Sequence, residues 1–320
     1  MIFISEEEAR ELVNVRDALD AVEGCFSAMA RANARNFPVV RESVGYQDAV
    51  FGVKSGVDVT VPLMGLKAGG YWPHNAAKGV TNHQSVTVLF DPETGRAEAV
   101  VSANYLTGVR TGAASAIATR WLSRKDSSVL AMIGAGVQAG YQLEATLAVR
   151  DIKRVRAWDP SAANLERFGQ RVRDLGLVFE PARDVQEAVE VADIIVTVTP
   201  SNTMLIHDGW VKPGTHINAM GADTRGKQEL DPKLVARSRI YYDELQQSVE
   251  IGECQHAWAA GLIGKADFQG SLGDVINDPS RGRTDDAQVT LFDGTGVALQ
   301  DLAVAKLAVQ KQAADTHSTR

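Results

Sequence analysis

Gly134-Ala135-Gly136-Val137-Gln138-Ala139 is a G-x-G-x-x-A run in a chain of 320 residues. The apolar segment SVLAMI precedes it, and VQAGYQLEATLAV, with helical character, carries it onward. Residues of these types at this spacing hold the pyrophosphate of a dinucleotide. Gly134 permits a tight turn, Gly136 lets the backbone approach the phosphates, and Ala139 allows close packing of helix on strand. Val137 and Gln138 open the helix, whose unsatisfied N–H groups and dipole favour an anion. A second short strand, RVRAWD, ends in Asp159. That is near the ~20-residue interval at which an acid accepts hydrogen bonds from the adenosine ribose hydroxyls. Asp159-Pro160-Ser161 offers no Arg for a 2′-phosphate, so the expected cofactor is NAD rather than NADP.

Such a site needs strands alternating with helices around it. From Ser128 onward SVLAMI, RVRAWD, DIIVTVTP, GTHINAMGAD and SRIYYDE alternate with helical segments such as SAANLERFGQRVRDLG. This grammar predicts an α/β, Rossmann-type doubly wound parallel sheet, placed at 118–299. The preceding stretch is different. Residues 5–35 read as helix, opened by a capping-box spacing of Ser5 and Glu8, with Leu12, Val15, Leu19, Val22, Phe26 and Met29 on one stripe. Residues 37–101 are short β-type runs punctuated by Gly, Pro and Asp, with DPETG at 91–95 as a turn, which predicts an antiparallel sheet. Residues 105–122 read as helix again. Periodicity does not decide whether the last helix, ALQDLAVAKLAVQKQAA, rejoins the first region, and the tail 314–320 is expected to fray.

Composition narrows the function class. Lys and Arg number 33 against 40 Asp and Glu, a net charge of −7, which argues against a nucleic-acid partner. No apolar run nears the ~20 residues of a membrane span, and MIFISEEEAR is acidic where a signal peptide is basic. Two cysteines suit a reducing compartment. The expected setting is cytoplasmic, with no membrane partner. His74, His83 and His256 form no H-x-H or H-x-x-x-H pattern, so no metal site is expected.

Several longer motifs resemble the ornithine cyclodeaminase/μ-crystallin family. They are Val40-Arg41, Gly65-Leu66-Lys67, Leu89-Phe90-Asp91 with Thr94-Gly95, and LTGVRTGAASA at 106–116. The Gly134 turn, Gly221-Ala222-Asp223, KQELD at 227–231 and LFDGTG at 291–296 complete the set, which spans nearly the whole chain. The resemblance implies an α+β substrate-binding and dimerisation domain built from both chain ends, 1–117 plus 300–320, around the Rossmann domain. It implies a homodimer. Arg41, Lys67 and Arg110 match the cations that hold the substrate α-carboxylate, Asp223 matches the acid at the reacting centre, and Thr111 matches a second contact to the cofactor phosphates. Lys67 is thereby expected to serve both binding and catalysis. Chemistry agrees with the clamp: Arg grips a carboxylate bidentately and Lys adds a point charge.

The expected activity is NADH-dependent reduction of an α-imino acid. Three departures from the family pattern refine it. Thr224-Arg225 follows Asp223 where many members have Pro two residues on. AVFGVKSG, which carries Lys54, shows no carboxylate for a distal ammonium, and Ala68–Asn75 is rich in hydrogen-bond donors. Arg225 and Lys54 suit a second carboxylate, so a dicarboxylic substrate is favoured, and the resemblance carried by KAGGYWPHN and ADTRGKQELD implies iminosuccinate, giving L-aspartate. An ornithine-type cyclodeaminase, an alanine-dehydrogenase-like reductive aminase and a non-catalytic μ-crystallin-like binder are the alternatives.

Overall fold

The computed structural model describes residues 1–318. The chain divides into two compact units, Met1–Arg110 with the segment from Val297 onward, and Thr111–Gly296.

In the first unit β1 (Ile2–Ile4) leads into α1 (Glu6–Leu12) and α2 (Val15–Ala30). The Ser5 capping box forms, but one helix over 5–35 does not: Asn14 accepts from the Asp17 N–H and starts a second helix. Its side-chain oxygen offers the backbone an alternative to helix continuation. There follow β2 (Ala34–Asn36), β3 (Val40–Ser43), β4 (Val50–Asp58), β5 (Leu63–Tyr71), β6 (His83–Phe90), β7 (Ala97–Ser102) and α3 (Asn104–Leu122). β2 to β7 pair antiparallel, while β1 adds in parallel at the β7 edge, completing a seven-stranded sheet. The 91–95 turn closes on the Asp91 carboxylate, which accepts from the Glu93 N–H and the Thr94 hydroxyl.

The second unit holds β8 (Val129–Ile133), α4 (Val137–Leu147), β9 (Arg154–Trp158), α5 (Ala162–Asp174), β10 (Val178–Pro181), α6 (Val185–Val189), β11 (Ile194–Thr197) and β12 (Asn202–Ile206). It continues with β13 (His216–Ala219), β14 (Gln228–Leu230), α7 (Pro232–Arg237), β15 (Arg239–Tyr242), α8 (Leu245–Glu250), α9 (Gln255–Ala259), β16 (Phe268–Ser271), α10 (Leu272–Asn277) and β17 (Thr290–Asp293). Eight strands pair in parallel in the order β10-β9-β8-β11-β13-β17-β15-β16, the doubly wound sheet of a Rossmann domain. Ile194, Ile195, Val196, Ile217 and Leu291 are fully buried, as parallel strands covered on both faces must be. The order reverses between β8 and β11, so the crevice for a ligand opens at the ends of those two strands.

The closing helix, α11 (Ala298–Ser318), returns to the first unit, where it packs on β4, β5 and β6. It runs through most of the tail read as frayed; Thr319 and Arg320 lie outside the described residues. Gly65 on β5 leaves room for it: a Cβ there would come within 3.0 Å of Leu302 on α11.

Candidate active site

Two groups of charged side chains hold the candidate site residues, one in each unit. In the first, Lys67 sits on β5 and is 8% exposed; Arg110 sits on α3 and is 6% exposed. Both donate to one atom, Oδ1 of Asp301 on α11, Lys67 Nζ at 3.0 Å and Arg110 Nε at 2.9 Å. Lys67 also donates to Thr107 Oγ1 at 3.3 Å, and Arg110 Nη1 to Gln300 Oε1 at 3.0 Å. The other Asp301 oxygen is buried with no hydrogen-bond partner among the described residues. Burial pulls the Lys67 ammonium down to about 8; the Asp301 charge opposes this, while Arg110 and Lys54 add to it. Burial also works against ionising Asp301, but Arg110, Lys67 and Lys54 together hold its carboxyl below the ordinary range.

Register places two further cations on that sheet face. Lys54 lies directly opposite Lys67, and Arg41 opposite Gly52, two residues along β4 from Lys54. Residues opposite one another or two apart share a face. Arg41 itself is exposed, so this face runs from a buried pair of cations to an open one.

In the second unit the Gly134 turn has the conformation its fingerprint requires. Gly134 has φ +94°, and a Cβ there would press to 3.0 Å against the Val198 carbonyl and the Thr199 methyl. Gly136, the N-cap of α4, has nothing within 4 Å of an added Cβ, so its backbone lies open to a ligand. Val137 is 77% exposed at the helix start, Gln138 is half-buried, and Ala139 is fully buried. Asp159 accepts from the Ala135 N–H at 2.7 Å and the Ser161 N–H at 2.8 Å, which fixes its carboxylate beside the turn. An open N-terminal cradle with a carboxylate beside it fits a dinucleotide with a free ribose 2′-hydroxyl. Thr111 is buried near the start of this unit.

Asp223 follows β13, at the same sheet edge. Its Oδ1 accepts from Lys227 Nζ at 2.6 Å and Thr224 Oγ1 at 3.1 Å. Arg225, in the same loop, is exposed. Behind the loop lie three buried acids. Glu229 Oε2 accepts from Thr197 Oγ1 at 2.6 Å and the Gly221 N–H at 3.1 Å; its Oε1 accepts from the Thr199 N–H and hydroxyl, each at 2.7 Å. Glu253 Oε1 accepts from the Glu229 and Leu230 N–H groups at 2.9 and 2.6 Å. Asp293 accepts from Ser248 Oγ and from the Glu253 and Cys254 N–H groups. Burial pushes Asp293 up to about 6. Burial and the Glu229 charge drive Glu253 well above its usual value. No group of three or more potential metal ligands forms among the described residues.

The sequence profile of the ornithine cyclodeaminase/mu-crystallin family matches residues 1–316. The chain belongs to this family. Iminosuccinate reductase of Paracoccus denitrificans is 50% identical over 97% of this chain and 96% of its own length. A crystal structure of that protein with NAD+ superposes with a TM-score of 0.94, covering 99% of this chain and 97% of that one. Alanine dehydrogenase of Archaeoglobus fulgidus is 38% identical over 96% and 93% of the two chains. The Δ1-pyrroline-2-carboxylate reductase of Thermococcus litoralis, with NADH and L-proline, has 28% identity and a TM-score of 0.94, covering 99% and 98%. The fold class read from the sequence is thereby established, and the cofactor is NAD.

Sequence reasoning missed the groups that hold these residues in place. Asp301 is a lone acid in an apolar helical run, a signal that was there to be read. Lys227, Glu229 and Asp293 lie inside motifs that carried the family resemblance, yet their roles follow only from the contacts. Glu253, in IGEC, has no local signature.

Proposed function

We propose that this chain reduces iminosuccinate to L-aspartate with NADH, holding the substrate by its two carboxylates. The carrying observation is the Lys67–Asp301–Arg110 cluster, in which two buried cations share one carboxylate oxygen and a positive charge is left over. Buried charge demands a partner, and a substrate α-carboxylate provides one. The Paracoccus relative, named an iminosuccinate reductase, supports the choice of substrate.

Arg110 and Lys67 grip the α-carboxylate, with Arg41 reaching it from the exposed end of the same sheet face. Asp301 holds both buried cations in one orientation, which fixes the substrate's reacting carbon. Gly134–Ala139, Asp159 and Thr111 hold the dinucleotide, which supplies a hydride when bound. Asp223 passes a proton to the imine nitrogen or orients the water that does so. Lys227 restrains that carboxylate through Oδ1. Arg225, two residues on, takes the second carboxylate.

The chain acts as a homodimer in this reading. The sheet face turned away from α11 carries Phe3, Val40, Phe51, Leu66, Val88 and Val100, all half-buried or exposed. An open apolar face of this kind suits a second copy, and the archaeal alanine dehydrogenase structure is a dimer with bound NAD. No described helix is long and apolar enough to cross a membrane. Supply of NADH and the buried Cys25 and Cys254, neither of them in a disulfide, favour the cytoplasm.

NADH oxidation with ammonia and oxaloacetate, pyruvate or glyoxylate tests the reading. NADH should be consumed stoichiometrically, fastest with oxaloacetate. A preference for pyruvate would point to an alanine-dehydrogenase-like enzyme. Ammonia release from ornithine with catalytic NAD would mean a cyclodeaminase. Arg225→Ala should lower kcat/KM for the dicarboxylic imine by about 10–100-fold, the worth of one charged hydrogen bond, and that for the pyruvate imine far less.

A further inference from the structure

The carboxylate of Glu229 is fully buried and lies behind the sheet edge, where no substrate atom needs to reach it. Its four hydrogen bonds go to two places. Oε1 takes the N–H and hydroxyl of Thr199, whose methyl group packs over the Gly134 turn. Oε2 takes the Thr197 hydroxyl and the N–H of Gly221, two residues before Asp223. One side chain thus ties the strand end that backs the dinucleotide turn to the loop that carries the proton-handling acid. Gly221 is shaped around it: a Cβ there would stand 2.5 Å from Glu229 Oε2 and 2.5 Å from the Thr199 carbonyl. The chain leaves that space to the carboxylate. Behind Glu229, the Glu253 carboxylate holds the Glu229 and Leu230 N–H groups, and Asp293 at the end of β17 holds the Glu253 N–H. The tie is therefore anchored to a third strand.

The donor set explains why the residue is an acid. A carboxylate has two acceptor oxygens and no donor, and it accepts about four hydrogen bonds. A glutamine has one acceptor oxygen and a donating NH2. Here each oxygen faces a backbone N–H, Thr199 on one side and Gly221 on the other. A hydroxyl can turn round to accept; a backbone N–H cannot. In either orientation, a Gln amide would confront one of the two N–H groups with another donor.

We propose that Glu229 is a positioning residue for catalysis: it sets the Asp223 loop against the dinucleotide turn. The proposal rests on the proton-handling role given to Asp223 above. Glu229→Gln should lower kcat about 10–100-fold, the cost of misplacing a reacting group by roughly an ångström, and leave KM for the imine within about threefold. Because it acts through Asp223, the loss should nearly vanish in the Asp223→Asn background, where a purely structural loss would persist and add. Gly221→Ala, which displaces the carboxylate without removing its charge, should repeat the pattern and serves if Glu229→Gln fails to fold. Hydrogen exchange adds a readout independent of turnover: the amides of Ala222–Gly226 should exchange at least about tenfold faster in either variant. Unchanged kcat with unchanged exchange, or losses additive with Asp223→Asn, would overturn the positioning role. Wild-type protein that reduces no imine would instead sink the reductase reading, and the exchange measurement would still decide whether Glu229 holds the loop.

Discussion

The first unit buries two cations around one carboxylate, and the second buries three acids, Glu229, Glu253 and Asp293, behind the Asp223 loop. Lys67 and Arg110 converge on one oxygen of Asp301. Glu229, Glu253 and Asp293 take their hydrogen bonds from backbone N–H groups and hydroxyls, with no cation among those donors in the described residues. In the proposed reading, the difference separates a binding site from a scaffold. A cation cluster with charge to spare stays receptive to an anion. A carboxylate saturated by backbone donors binds nothing more and fixes the chain that supplies those donors.

Substitutions in both units test that contrast. Asp301→Asn should be the most damaging to stability, since it keeps the shape and removes the negative charge that Lys67 and Arg110 share. Breaking a buried pair in this way costs about 3–5 kcal/mol, measured as a shift in denaturant midpoint; a loss below 1 kcal/mol would show that solvent or loss of the Lys67 proton relieves the unpaired charge. Asp223→Asn should cut kcat by about 10²–10⁴ while NADH still binds, because it removes a proton-transfer group and little else; unchanged turnover across pH would take Asp223 out of that role. Arg110→Ala or Lys67→Ala should cost about 1.5–3 kcal/mol in kcat/KM. The Lys67 ammonium, lowered to about 8, is charged below that pH and neutral above it. Hence kcat/KM should fall as pH rises through about 8, and Lys67→Arg should move that limb upward. A pH profile identical in Lys67→Arg would assign the limb to another group. The smallest effect belongs to Glu253→Gln, at under about 1 kcal/mol: burial already drives this acid toward its neutral form, and Oε1 makes the shorter contacts to the Glu229 and Leu230 N–H groups, with Oε2 sharing only the Glu229 N–H at 3.2 Å. A loss approaching that of Asp301→Asn would mean that the acid cluster works through charge after all.

Much of the molecule was legible in its sequence because the features concerned are local. A turn that needs positive φ selects Gly134, a helix packed against a strand selects Ala139, and an open helix N-terminus accommodates Gly136; each requirement is met within a few residues. Alternation of apolar strands and amphipathic helices likewise announces a parallel sheet over a short window. The break at Asn14 was missed because the apolar stripe runs on through it; one side-chain oxygen stops the helix there.

What the sequence by itself determined, then, was the Rossmann fold, the Gly134 turn with Asp159 beside it, and the presence of acids and cations within long motifs. The tertiary structure decided which of them meet. Lys67 and Asp301 touch across 234 positions of sequence, because α11 returns to the sheet formed at the start. Its apolar periodicity would have suited either unit, so no local pattern could announce the contact. Glu229 reaches Thr199 and Gly221 only because β11 and β13 lie side by side, their registers aligned by strand pairing. Whether a buried charge binds a substrate or holds a loop depends on the donors and counter-charges that folding brings to it, and those come from distant parts of the chain.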